Sequence, residues 1–133
     1  MKAIKFVIAG ETPAKKNSRM VLSNGRNIPS KHFREWHELA LLQLRSFFYV
    51  SGIKSPLNHE IKITLNFTHG DKRRRDSDNG TSSILDLLQD AGVLEDDCWQ
   101  IVREINVHNF YEKDKAKCEI LIEDYKYRNA IDE

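Results

Sequence analysis

Glu60-Ile61-Lys62-Ile63-Thr64-Leu65-Asn66-Phe67 alternates without a break, with Ile61, Ile63, Leu65 and Phe67 on one side and Glu60, Lys62, Thr64 and Asn66 on the other. A period of two marks a strand with one apolar face toward a core and one polar face away from it. Downstream, His69 to Ser77 reads as a polar loop. Asp78 or Asn79 can then cap a helix whose Ile84, Leu85, Leu88 and Ala91 share a face, and Gly92 suits its C-terminal cap. Ile101, Ile105 and Val107 share a parity, as do Cys118, Ile120 and Ile122, and the polar segment Tyr111 to Asp114 between the two runs predicts a hairpin turn.

Upstream, Ile4, Phe6 and Ile8 occupy every second position of Lys2 to Ala9, a further strand pattern. Gly10 to Pro29 is polar and basic, and Asn24-Gly25 at its centre signals a type I′ hairpin turn. Ser30 can cap a long helix in which Phe33, Trp36, Ala40, Leu44 and Phe47 form a stripe running through Tyr49. A second apolar set, Leu41, Leu42, Phe48 and Tyr49, exceeds what one buried stripe needs and suggests contact with a second subunit. The expected fold is a single α+β domain over residues 1–133. Its mixed sheet has about four or five strands with two helices on one face, and the polar tail after about residue 127 is expendable.

With 133 residues, 40% hydrophobic and 31% charged, the chain suits one modest core and no membrane span. No signal-peptide pattern opens it, so a cytoplasmic location is expected. Cys98 and Cys118 match no zinc spacing and predict no disulfide. The net charge of +1 hides an asymmetry: residues 1–75 carry 15 Lys and Arg against 5 Asp and Glu, whereas residues 76–133 carry 6 against 15. A basic half of this kind suggests a polyanionic partner, and the acidic half suits either a cation site or pairing with the basic one.

Both charges meet in Lys72-Arg73-Arg74-Arg75-Asp76-Ser77-Asp78-Asn79, followed by Glu95-Asp96-Asp97. In an extended segment Asp76 and Asp78 point the same way. Oxygen-only clusters suit Mg²⁺, which takes one or two carboxylates, retains waters and completes its shell with substrate phosphate oxygens. The adjacent arginines could hold those phosphates. The plainer reading is that Asp76 and Asp78 favour a helix N-terminus while Asp96 and Asp97 lie in a solvated turn. Of the five histidines only His69, just before the basic run, stands near this chemistry. Arg103 interrupts the parity of its strand and either reaches the sheet edge or pairs with a carboxylate.

Arg73-Arg74-Arg75-Asp76-Ser77-Asp78-Asn79, with Asp86, Leu87, Ala91-Gly92 and Glu95-Asp96-Asp97, resembles the signature of the RusA family of Holliday junction resolvases. The likeness is dense over residues 72–107 and thinner upstream, at Pro13, Lys15, Lys16, Asn17, Ser30 and Arg34. It implies a small dimeric α+β enzyme that cuts four-way DNA junctions symmetrically with a divalent metal. It further implies that Asp76, Asp78 and Asp97 are the essential carboxylates, supported by Asp96 and Asn79. The family's usual lysine four residues after the second aspartate is Ser82 here. Its absence either weakens cleavage or shifts the task to another cation such as Lys72, Arg75 or Lys16, and Thr81, Ser82 and the free N–H groups of the first helical turn could still bind a phosphate.

The expected chemistry is therefore hydrolysis of a DNA phosphodiester by one or two Mg²⁺ ions, Mn²⁺ being a substitute, held by Asp76, Asp78, Asp97 and Asp96. Lys15, Lys16, Arg19, Lys31 and Lys72 to Arg75 would track phosphates. The competing readings are a junction-binding protein with weak or no turnover and a broader nuclease for flaps and branches. One geometric constraint is already visible: a helix from Asn79 to Ala91 spans about 20 Å, so Asp97 meets Asp76 and Asp78 only if the chain doubles back, the helix frays, or two subunits share a site.

Overall fold

The computed structural model describes residues 1–14 and 19–126, so the tail after 127 lies outside the described residues. Along the chain run β1 (Ile4–Ala9), β2 (Arg19–Val21), β3 (Asn27–Pro29), α1 (Lys31–Ser51), β4 (Ile61–His69), α2 (Asn79–Asp90), β5 (Val102–Tyr111) and β6 (Lys117–Asp124). A four-stranded mixed sheet has the order β1-β6-β4-β5, and β2 and β3 form a separate two-stranded ribbon. This is the expected α+β architecture.

The alternating strand is β4. Ile61, Ile63 and Leu65 are fully buried, and Phe67 is nearly so. Register carries that face across the sheet, with Ile63 opposite Ile122, Leu65 opposite Ile120 and Phe67 opposite Cys118. It continues to β1, where Ile4, Phe6 and Ile8 pair with Ile122, Ile120 and Cys118. Ala40, Leu44 and Phe48 of α1 and Ile84, Leu87 and Leu88 of α2 join this same core, so both helices cover one face. On the other face Lys5, Lys62, Thr64, Asn66, Glu104 and Glu119 are solvated to differing degrees. No helix among the described residues is long and apolar enough to cross a membrane.

The helix ends follow their local chemistry. Ser30 caps α1, its hydroxyl accepting from the Phe33 N–H at 3.2 Å. Gly92, at φ 75°, ends α2: its N–H donates to the Gln89 carbonyl and the Val93 N–H to that of Leu88. This pair of bonds satisfies the last carbonyls only with a left-handed residue between them, which glycine adopts without strain.

Three local expectations are corrected. Asn24-Gly25 does turn the β2–β3 ribbon, but only Gly25 has positive φ, and the Leu22 and Gly25 N–H bonds enclose a three-residue loop rather than a type I′ turn. The buried stripe of α1 is Phe33, Ala40, Leu44 and Phe48, with Phe47 half-buried, so Phe48 belongs to the core and not to the outer set. The largest correction concerns Tyr111 to Asp114, which does not close a hairpin. β5 pairs in parallel with β4 after the α2 crossover, and β6 lies on the far side of β4, antiparallel to both β4 and β1. The connection therefore passes over the end of β4, where the Glu112 and Asp114 N–H groups bond the carbonyls of His69 and Gly70.

Cys118 sits fully buried on β6, and burial, with Glu119 adding, pushes its thiol up to about 12. Thiols react as thiolates, so Cys118 should resist alkylation at neutral pH while half-buried Cys98 reacts. Mass spectrometry after iodoacetamide treatment should find one adduct on the native protein and two in denaturant; two adducts under native conditions would contradict this packing.

Candidate functional site

Because β4 and β5 are parallel, both end at the same edge of the sheet, and α2 begins there. Ligand clefts in such crossovers form at the carboxyl ends of the strands. A cleft of about 900 Å³ opens at this edge, walled by the ends of β4 and β5, the basic loop 71–77, the first turn of α2 and residues 11–14 after β1.

Specific contacts hold these walls in place. Ser83 donates to the Pro13 carbonyl at 2.6 Å, fastening α2 to the segment after β1. A Cβ on Gly80 would lie 3.0 Å from the Phe67 ring, so glycine lets the first turn of α2 rest directly on β4. The His69 ring lies nearly parallel to Phe67, its Nδ1 2.7 Å from a Glu11 carboxylate oxygen and its Nε2 2.8 Å from Asn109 Oδ1. The imidazole is therefore fixed in plane at both nitrogens.

The cations divide into two kinds. Arg75 donates to the Asp71 carboxylate at 2.8 Å and lies 3.3 Å from Glu11, with only 26% of its side chain exposed. It braces the loop. The Asp71 carboxyl is held below its ordinary range, first by the Arg73 backbone N–H and then by the Arg75 side chain. Arg73 is exposed, with Asp71 at 3.7 Å, and exposed Arg74 lines the cleft. The Lys72 ammonium lies 4.9 Å above the Tyr111 ring. Lys31 lies on α1, 3.7 Å from Glu35. Lys15 and Lys16 fall outside the described residues, and Arg19 opens β2.

Among the acids, Asp76 lines the cleft with Ser77 and Asn79. Ser77 and Asp78 form a turn, with Asp78 in the right-handed helical region, so the extended backbone expected to align Asp76 with Asp78 is not present. Asp78 precedes α2 but makes no side-chain capping bond. Ser82 is exposed in the first turn, its N–H reaching the Asp78 carbonyl at 3.3 Å. Asp96 and Asp97 are elsewhere: Asp96 lies 3.3 Å from Gln89 in the last turn of α2, and neighbouring Leu94 and Glu95 meet Leu57, which precedes β4. The chain thus brings together the basic loop, Asp76 and Asn79, and leaves Asp96 and Asp97 at the opposite end of α2. Arg103 is there too, paired with Glu60 and stacked on Tyr125, away from the cleft.

The donor set suits a hard cation. Asp76 offers a carboxylate to the cleft, Asn79 Oδ1 is buried without a hydrogen-bond partner, and Asp78 is not among the residues that line it. Among the described residues no group of three or more His, Cys, Asp or Glu is gathered as a complete metal site. That is compatible with Mg²⁺, which uses one or two carboxylates and takes its other ligands from water and phosphate.

The sequence reading missed Glu11, Asn109 and Tyr111 as cleft residues. Asn109 and Tyr111 continue the parity of Ile105 and Val107 beyond the apolar run, a signal available in the sequence. Glu11 has no such pattern, since its place depends on the long-range packing of β1 beside β6.

Two comparisons bear on this arrangement. The family model described as Endodeoxyribonuclease RusA matches residues 10–123. A Crossover junction endodeoxyribonuclease RusA from Aquifex aeolicus (strain VF5) is 26% identical over 104 residues, covering 77% of this chain and 78% of that protein. The matched span runs from the segment after β1 to β6 and includes every wall of the cleft, and on that extent the chain belongs to the RusA endodeoxyribonuclease family.

Proposed function

We propose that the chain is a metal-dependent endodeoxyribonuclease that resolves four-way DNA junctions by paired, symmetric phosphodiester hydrolysis as a homodimer. The observation that carries this reading is the meeting, in one cleft, of the basic loop with Asp76 and Asn79 at the start of α2. Asp76, Asp78 and Asn79 would hold Mg²⁺ or Mn²⁺, with Asp97 and neighbouring Asp96 contributed by the second subunit. Such an ion supplies positive charge at the phosphate and makes a bound water a stronger nucleophile.

The protein's own residues position the strand. Lys72, Arg73 and Arg74 engage backbone phosphates, as would Lys15, Lys16, Arg19 and Lys31, without reading bases. Arg75, clasped by Asp71 and Glu11, keeps the loop from folding across the cleft. The N-terminus of α2 adds a positive dipole end, which suits phosphate where Ser82 offers no cation.

A junction-binding protein with weak turnover is the second reading, favoured by the absence of a cation at Ser82. A labelled four-way junction, a linear duplex and a flap, each incubated with Mg²⁺ or chelator and run on a denaturing gel, separate the readings. Paired symmetric cuts in the junction alone, only with metal, are the expected result. Tight binding without cutting would favour the second reading, and equal cutting of flaps would make the enzyme a general branch nuclease.

A further inference from the structure

The end of β5 presents two large aromatic residues to solvent, Phe110 at 55% and Tyr111 at 49% exposure. They differ in orientation. Both border the cleft, but Tyr111 pairs in register with His69 and shares its face, whereas Phe110 alternates to the other face, where its ring lies near His108. The cleft edge therefore holds two neighbouring flat groups: the Tyr111 phenol, and the His69 imidazole fixed by Glu11 and Asn109. Lys72, covering the Tyr111 ring, has no carboxylate partner among the described residues.

We propose that this edge is a nucleobase subsite, in which Tyr111 stacks on an unpaired base of the DNA strand entering the cleft, beside the immobilised His69. The inference rests on the DNA reading above and adds a contact that the phosphate-directed cations cannot supply. Bases within a continuous duplex already have both faces covered, so an exposed ring at a phosphate-binding edge selects strands whose bases are unstacked. Lys72 serves both states. Without DNA it covers the π face of Tyr111, and when a base takes that place the ammonium moves a short distance to the adjoining phosphate. The cleft volume, about 900 Å³, is within the range that accommodates a base with its sugar and phosphate.

The test uses the full chain in chelator, so that binding is read without cleavage. Fluorescence anisotropy would compare a labelled duplex, the same duplex with a short unpaired stretch, and a four-way junction. A 2-aminopurine in the unpaired stretch would report stacking directly. Tyr111→Ala should weaken binding to the unpaired and junction probes by about tenfold, the scale of one base–aromatic stack, and leave duplex affinity within about twofold. Tyr111→Phe should retain wild-type affinity and quenching of 2-aminopurine. Lys72→Met should weaken all three probes alike. An equal loss on every probe for Tyr111→Ala, or no loss, with an unchanged melting temperature, would overturn the subsite while leaving the nuclease reading intact. A wild-type protein that binds none of the probes would overturn both.

Discussion

Asp76→Asn should lower the rate of metal-dependent junction cleavage by about a thousandfold or more, equivalent to roughly 4 kcal/mol of transition-state stabilisation. Junction affinity in chelator should stay the same or rise. The two outcomes have one cause. Of the four aspartates expected to hold the metal, Asp76 is the one that lines the cleft, as does Asn79 with its buried oxygen. A neutral amide of the same shape removes the charge that would hold a divalent cation and, in the absence of metal, removes repulsion toward phosphate. The substitution should leave the fold intact, because it is the Asp76 backbone carbonyl that accepts the Asn79 N–H where α2 starts. Single-turnover rates at saturating Mg²⁺, paired with gel-shift titrations in chelator, check it. Cleavage within tenfold of wild type would remove Asp76 from the metal site.

Legibility in the sequence followed the range of the interactions involved. β4, β1 and β6 were readable because their burial alternates with a period of two and a strand's faces are fixed locally. Ser30 and Gly92 were readable because caps act within a single turn. The partners of the strands were not. Nothing within Tyr111 to Asp114 distinguishes a tight hairpin from a connection that crosses the end of β4, since the difference lies in which strand β5 meets after α2. Phe48 was misplaced for a related reason: neighbouring Phe47 and Phe48 both fit a helical stripe, and only packing against Phe6 and the sheet decides which is buried more deeply.

The candidate site shows the same division. The basic run and the aspartates at the start of α2 were visible as charge pattern and as a family resemblance. Their separate roles were not, because these depend on neighbours distant in sequence. Glu11, more than sixty residues before Arg75, makes that arginine a brace, and Tyr111, more than thirty residues after Lys72, covers that lysine. Asp97 was named from sequence, but its distance from Asp76 follows from topology. α2 returns antiparallel to β4 and β5, so whatever follows it arrives at the opposite edge of the sheet.

That topology leads to a second large effect. Mixing Asp76→Asn chains with Asp97→Asn chains should restore cutting that neither variant shows alone. The twelve residues of α2 span about 18 Å and the nine of β4 about 30 Å, which separates the two ends within one subunit. If each site takes Asp76 from one chain and Asp97 from the other, a mixed dimer contains one doubly substituted site and one intact site. A two-fold dimer assembled at random from equal amounts is mixed half the time, so about a quarter of the wild-type sites should return. Because each mixed dimer has a single working site, the product should be a nick in one strand rather than paired cuts. Co-expression with two different tags, followed by isolation of the doubly tagged dimer, gives the species needed. Its failure to nick, with both chains present in equal amounts, would place Asp76 and Asp97 in the same subunit's site, and cutting by the Asp97→Asn protein alone would place Asp97 outside the catalytic set, whereas single-strand nicking by the mixed dimer alone would mean that the dimer is required for each individual cut and not only for their symmetry.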